Sequence, residues 1–110
     1  MNMLLTNEQQ LLPPIGSVKD SGMRLFDALA VVKLFTPGDQ WIWYVVEFDG
    51  EDLCFGFIVG NVPELGYFRL SSLQKDWARQ GLTVIRDQQY CPVLLRALLQ
   101  KYLGLHIVDR

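Results

Sequence analysis

Trp41 to Tyr67 reads WIWYVVEFDGEDLCFGFIVGNVPELGY, and this stretch decides the fold. Two strongly apolar segments, Trp41 to Phe48 and Leu53 to Val59, flank Asp49-Gly50. An Asp-Gly pair between such segments is a strong short-range hairpin signal. Carboxylates crowd the turn: Glu47, Asp49, Glu51 and Asp52, with Glu64 toward the far end of the third strand. They form either a solvated turn or a site.

Read as a two-residue turn, Asp49-Gly50 places Phe48 opposite Glu51. One face then carries Ile42/Phe57, Tyr44/Phe55 and Val46/Leu53. The other carries Trp41/Ile58, Trp43/Gly56, Val45/Cys54 and Glu47/Asp52. This register lays Trp43 over a strand glycine, a favourable cross-strand arrangement. It also sets two carboxylates face to face, at a cost of a few tenths to about 1 kcal/mol. A three-residue loop would instead pair Trp43 with Phe55 and exchange the faces. Both faces are apolar over most of the hairpin, unlike a sheet with one wet side. The expectation is helices on one face. The other, centred on Trp41, Trp43 and Ile58, is covered by loops, by a second copy of the chain or by a ligand.

Outward from the hairpin, Leu25 to Phe35 reads as a first strand, clearest from Leu29. It ends at the turn Thr36-Pro37-Gly38-Asp39, where Pro37 presets φ and Gly38 accepts positive φ. Asn61-Val62-Pro63-Glu64 breaks the third strand, and Gly66 to Leu70 reads as a short fourth. Thr6-x-x-Gln9 predicts a capping box opening a short helix through Leu12, stopped by Pro13-Pro14. Ser71-x-x-Gln74 predicts a second capping box. Its helix carries Leu73 and Trp77 on one face and ends at Gly81. Leu82 to Ile85 offers a fifth short strand. Pro92 fits the first turn of a last helix, apolar around Leu94, Leu95, Leu98, Leu99, Tyr102 and Leu103 and closed by Gly104. The expected architecture is α+β, a four- to five-stranded antiparallel meander packed by two or three short helices. At 110 residues a single domain is expected, 1–110. It divides into an N-terminal helix and loop over 1–22, a sheet over 25–70, and two helices with an extended link over 71–104.

Half the residues are apolar and the formal net charge is −2, which argues against a basic nucleic-acid footprint. The start of the chain lacks a basic stretch followed by a long apolar one, and no run reaches the roughly 18 apolar residues of a membrane span. A cytoplasmic protein with no membrane association is expected. Cys54 and Cys91 lack metal or redox spacing and read as reduced thiols, with a disulfide between them left open. No phosphate-cradling loop, nucleophile elbow or zinc spacing is present, so no cofactor and no catalytic residue is expected. His106, the only histidine, reads as a packing residue.

The alternation Glu47-x-Asp49-x-Glu51 starts like a calcium loop but departs from it. Counted from Glu47, glycine falls at the fourth position rather than the sixth, and Ile58 stands where the closing acid belongs. Three function classes follow. The first is an interaction protein, in which Trp41, Trp43 and Tyr67 anchor a protein partner and Glu47, Asp49, Glu51, Asp52 and Glu64 orient a basic one, with a homodimer as one form. Neutralising Glu47, Asp49 and Asp52 would then weaken binding and spare the fold. The second is a metal-dependent hydrolase on Glu47, Asp49 and Asp52. The third is single-strand nucleic-acid binding on Trp41, Trp43, Tyr67 and Phe68.

The strings Phe35-Thr36-Pro37, Trp41-x-Trp43-Tyr44, Glu47-Phe48-Asp49-Gly50-Glu51-Asp52, Phe55-Gly56 and Glu64-Leu65-Gly66-Tyr67-Phe68 resemble the domain of unknown function family 2958. The resemblance runs over about residues 11 to 90, with Leu11-Leu12-Pro13-Pro14 upstream and Arg86-Asp87 downstream. It implies a bacterial protein, often carried on plasmids and mobile elements near DNA-modification or anti-restriction genes. By association it implies a part in mobile-element maintenance or host-defence interplay. It implies no catalytic residue.

Overall fold

A computed structural model of the chain describes residues 4–6, 9 and 12–105. Its centre is the hairpin of β3 (Ile42–Phe48) and β4 (Leu53–Val59). Around it run α1 (Ser17–Asp20), a 3-10 turn (Leu25–Asp27), β1 (Leu29–Ala30), β2 (Val32–Phe35) and β5 (Pro63–Arg69). Then come α2 (Leu70–Ala78), β6 (Ile85–Arg86), β7 (Val93–Leu94) and α3 (Leu95–Leu103). The main sheet has five antiparallel strands in the order β5-β4-β3-β2-β6, and β1 and β7 form a second, two-stranded sheet. The fold is α+β with an antiparallel meander at its heart. Among the described residues no helix is long and apolar enough to cross a membrane.

Three elements differ from the sequence reading, each for a tertiary reason. Leu25 to Phe35 is not one strand. β1 leaves the main sheet and pairs with β7 through Leu29↔Leu94 and Ala30↔Val93, and the Tyr90 hydroxyl donates to Ala30 O at 2.7 Å. Pro92 does not open the last helix. The chain after it is extended through Leu94, and Leu95 N donates to Ala28 O at 2.8 Å where α3 begins. The strand after Asn61 starts at Pro63, three residues early. It lies at the sheet edge, where a proline in first position costs no ladder bond.

The hairpin register is also corrected. Trp43 faces Ile58, Tyr44 faces Phe57 and Val45 faces Gly56; then a bulge intervenes, and Glu47 faces Phe55 and Phe48 faces Cys54. The turn is longer than two residues because Asp49 reorganises it. Its Oδ1 accepts the N–H groups of Glu51, Asp52 and Leu53 at 2.8, 2.8 and 3.0 Å, and Asp49 N donates to Leu53 O at 2.9 Å. Gly50 supplies the positive φ, 88°. Up to the bulge, the pairing has slid by two positions from the two-residue register. An even slip keeps every side chain on its face. The two expected face sets therefore survive as far as Val46, although their cross-strand partners change. The expected Glu47–Asp52 pair does not exist.

Both faces of the sheet are covered by the chain itself. Trp43, Val45, Phe48, Leu34 and Cys54 pack with Leu4, Leu5 and Leu12 from the N-terminal segment and with Leu70 and Leu73 of α2. On the reverse face Tyr44, Val46 and Phe57 pack with Val18, Ala30, and Leu95, Leu98 and Leu99 of α3. Each large apolar side chain buried in this way contributes roughly 1.5–3 kcal/mol. Helices on one face only was the expectation. The correction is that α2 and α3 take opposite faces, because the β6–β7 segment carries the chain around the β2 edge between them.

The helix ends follow the sequence. Leu82 N donates to Trp77 O and Gly81 N to Ala78 O, both at 3.0 Å, closing α2 in a Schellman arrangement with Gly81 at φ 74°. Gly104 (φ 67°) closes α3. Thr6 and Gln9 exchange the reciprocal bonds of a capping box at 3.0 and 3.1 Å; the rest of that predicted helix lies partly outside the described residues, as does His106.

The tryptophan–glycine packing expected at Gly56 occurs at Gly60 instead, where a Cβ would run into the Trp41 ring. At Gly56 a Cβ would coincide with the main-chain carbonyl oxygen of Tyr44 on the neighbouring strand. No side-chain rearrangement relieves a clash with backbone. Gly56→Ala is therefore expected to destabilise the protein by about 3 kcal/mol or more, read from urea denaturation. A loss below about 1 kcal/mol would show that the two strands can separate locally.

Candidate functional site

The carboxylates that sequence reading grouped at the turn are dispersed, and most hold the fold together. Glu47 is only 4% exposed. The bulge directs it toward α1, where its oxygens accept Gly16 N at 3.1 Å, Val18 N at 2.9 Å and Ser17 Oγ at 3.4 Å. It thus pins the start of α1 to β3 across some thirty residues of chain. Asp49 is consumed by its own turn. Asp52 caps α2 from outside: its carboxylate accepts Ser71 N at 2.8 Å and Ser71 Oγ at 2.6 Å, and its carbonyl accepts Leu70 N at 3.0 Å.

This last contact corrects the expected capping box. Ser71 lies inside the first turn of α2, and the residue in the cap position, Arg69, makes no side-chain bond to the helix. Two N–H groups of the helix start are met by one residue remote in sequence, Ser71 N by the Asp52 carboxylate with the physics of an ordinary N-cap and Leu70 N by the Asp52 carbonyl. Arg69 approaches Asp52 to 4.0 Å, an exposed pairing worth little.

Glu51 is exposed in the turn, and Glu64 is exposed on β5 opposite Ile58, at the far end of the sheet. Among the described residues no group of three or more His, Cys, Asp or Glu is placed to hold a metal ion. The hydrolase reading on Glu47, Asp49 and Asp52 therefore has no geometric support. Because Glu47, Asp49 and Asp52 each satisfy backbone donors, neutralising them together would not spare the fold.

The aromatics part in the same way. Trp43 is 3% exposed and stacks on Trp41, with centroids 5.8 Å apart. Trp77 of α2 closes this triad at 5.7 and 5.8 Å. Trp41 is half-buried. Phe68 is buried with Trp43, whereas Tyr67, 61% exposed, lies on the opposite face against Phe55 at 5.0 Å. The four aromatics do not make one open platform for bases. Cys54 and Cys91 are free thiols; burial pushes Cys54 up to about 12.

An open concave surface lies elsewhere, where the segment between Pro13 and Val31 meets the sheet and Leu94. A depression of about 640 Å³ is lined chiefly by Pro13, Val18, Met23, Leu29, Val31, Val46 and Leu94. A smaller one of about 360 Å³ is lined by Gly16, Val18, Lys19, Met23, Leu25, Glu47, Phe55 and Tyr67. The two share Val18 and Met23. Met23 is 49% exposed, Leu29 50% and Leu94 40%. At one border Asp27 of the 3-10 turn is ion-paired with Arg24 and with Arg96 of α3. The hydrogen bond from Arg24, then that from Arg96, lowers the Asp27 carboxyl below its ordinary range.

Glu47 and Tyr67 are the sequence-selected residues that reach this surface. Met23, Leu29 and Leu94 were missed. Leu29 and Leu94 meet only through the β1–β7 pairing, which joins distant segments of two residues each. The available signal was the apolar density of Met23, Leu25 and Phe26 just after a polar loop, with no strand or helix period to bury it.

Two measurements test the structural roles. Asp52→Ala should cost about 1–2 kcal/mol through the lost cap while Asp52→Asn loses less, as read by urea denaturation. The N–H groups of Asp52 and then Glu51, with smaller help from Leu53 and Arg69, hold the Asp49 carboxyl below its ordinary 3.8. A depressed native value contributes stability that is present above the unfolded value and is lost as pH falls through the native one. Between about pH 6 and about pH 3, the wild-type urea midpoint should fall more steeply than that of Asp49→Asn. Parallel profiles would remove this role.

No curated protein and no solved structure matches the chain. A family model described as "Protein of unknown function (DUF2958)" matches residues 4–103, nearly the whole chain. With the α+β fold and the turn motifs in place, the chain belongs to the DUF2958 family.

Proposed function

We propose that the protein is a non-enzymatic interaction module that binds an extended segment of a partner protein along the joined depressions between Pro13 and Val31. The observation that carries this reading is the cluster of half-exposed Met23, Leu29 and Leu94 around a concave apolar surface. Large apolar side chains left open together mark contact surfaces more often than chance exposure does. Methionine in such a place adapts its shape to different partner side chains.

The partner segment is apolar with at least one basic residue. The larger depression offers almost only apolar contact, and the smaller one holds the buried carboxylate of Glu47. The chain carries a net charge of −2, which favours approach of a basic segment. The acidic turn keeps a secondary part: Glu51 is exposed and free to steer that approach. A cytoplasmic setting on a mobile element is consistent with the family resemblance.

Selection from a random peptide library displayed on phage tests the reading. Enriched sequences should combine two or more large apolar residues with a lysine or arginine. The double variant Leu29→Glu with Leu94→Glu, at positions already half-exposed, should keep its fold and lose at least about tenfold in affinity, or about 1.4 kcal/mol. No enriched peptide, or equal affinity in the double variant, would overturn the proposal.

A further inference from the structure

We infer that the smaller depression is a pocket for an organic cation, the guanidinium or ammonium group of a basic side chain in the bound segment. The inference rests on the peptide-binding reading and adds which chemistry the pocket selects.

Glu47 lines the pocket and is buried. Its three hydrogen-bond donors, Gly16 N, Val18 N and Ser17 Oγ, are all neutral. They orient the carboxylate without cancelling its charge. Among the described residues no cation lies within ion-pair distance of it. A buried charge is ordinarily paired, because water no longer screens it. Here the place of the counter-ion opens onto the pocket.

The remaining walls suit an organic cation. Phe55 and Tyr67 stand at an interplanar angle of 57°, with centroids 5.0 Å apart. Aromatic faces attract cations through the ring quadrupole. Met23 and Leu25 offer apolar contact to the methylene stem of a lysine or arginine. A hard metal ion is a poor alternative, since it needs six or more oxygens and the pocket offers one carboxylate and one phenol. The volume of about 360 Å³ is at the small end of ligand pockets. Among the described residues that line this depression, Lys19, which is exposed, is the like charge to an entering cation.

The test uses the full chain labelled with ¹⁵N and three capped amino acids as probes: N-acetylarginine amide, N-acetyllysine amide and the neutral N-acetylnorleucine amide. Amide shifts of Gly16 and Val18 report binding. Both cationic probes should bind at least about tenfold more tightly than the norleucine probe. Glu47→Gln should abolish that preference, and Lys19→Ala should strengthen cation binding about twofold. Should Glu47→Gln fail to fold, Tyr67→Ala decides instead: its ring is mostly exposed, and its loss should weaken cation binding several-fold with the fold intact.

Equal binding of all three probes, no saturable shift at about 50 mM probe, or unchanged cation binding in Tyr67→Ala would overturn the pocket. The two readings fail separately. Peptides enriched for apolar residues alone would leave the groove and remove the cation pocket. Cationic probes that bind while no peptide is enriched would leave the pocket and remove the peptide.

Discussion

The single extra residue in β3, at Val46, is the constraint on which the rest of the structure depends. Without it, strict alternation would put Glu47 beside Trp43 and Val45, inside the apolar layer under α2. A carboxylate there would be buried with no donor, at a cost of several kcal/mol or more. The bulge turns Glu47 to the side of α1, where backbone N–H groups await it, and returns Phe48 to the core. It also separates Glu47 from Asp52, leaving Asp52 free to reach α2.

From that shift comes a pattern in which carboxylates act as ties between distant segments. Glu47 joins β3 to the start of α1, Asp49 shapes the turn, and Asp52 joins the turn to α2. These are charge-assisted bonds to backbone, stronger than neutral ones and specific in direction. An acidic cluster in the sequence thus becomes scaffolding in the structure. What it builds is a surface on which α1, the 3-10 turn and the β1–β7 pair bring Met23, Leu29 and Leu94 into the open.

Two carboxylates border that surface: Asp27, ion-paired with Arg24 and Arg96, and Glu47, held by neutral donors. Glu47 is buried, accepts three neutral donors at the start of α1 and lines the smaller depression. The residue that holds the helix start is thus also part of a depression wall. Tyr67 faces the same depression from β5 with its ring largely open.

Sequence alone determined the strands of the hairpin, the Pro37-Gly38 turn, the Trp77 face of α2 and the glycine helix ends, because each rests on local dihedral preference or on a period of side chains. It also determined which residues of β3 and β4 share a face, since a slip of two preserves parity. Only the tertiary structure decided the pairing partners, the bulge, the pairing of β1 with β7 and the cap that Asp52 gives α2. The hairpin register and bulge depend on the turn that Asp49 builds and on the donors Glu47 finds at α1, and the other two on backbone groups paired with segments far away in the chain. Local pattern carries no record of such a partner, and the exposed groove made by these pairings was hidden with them.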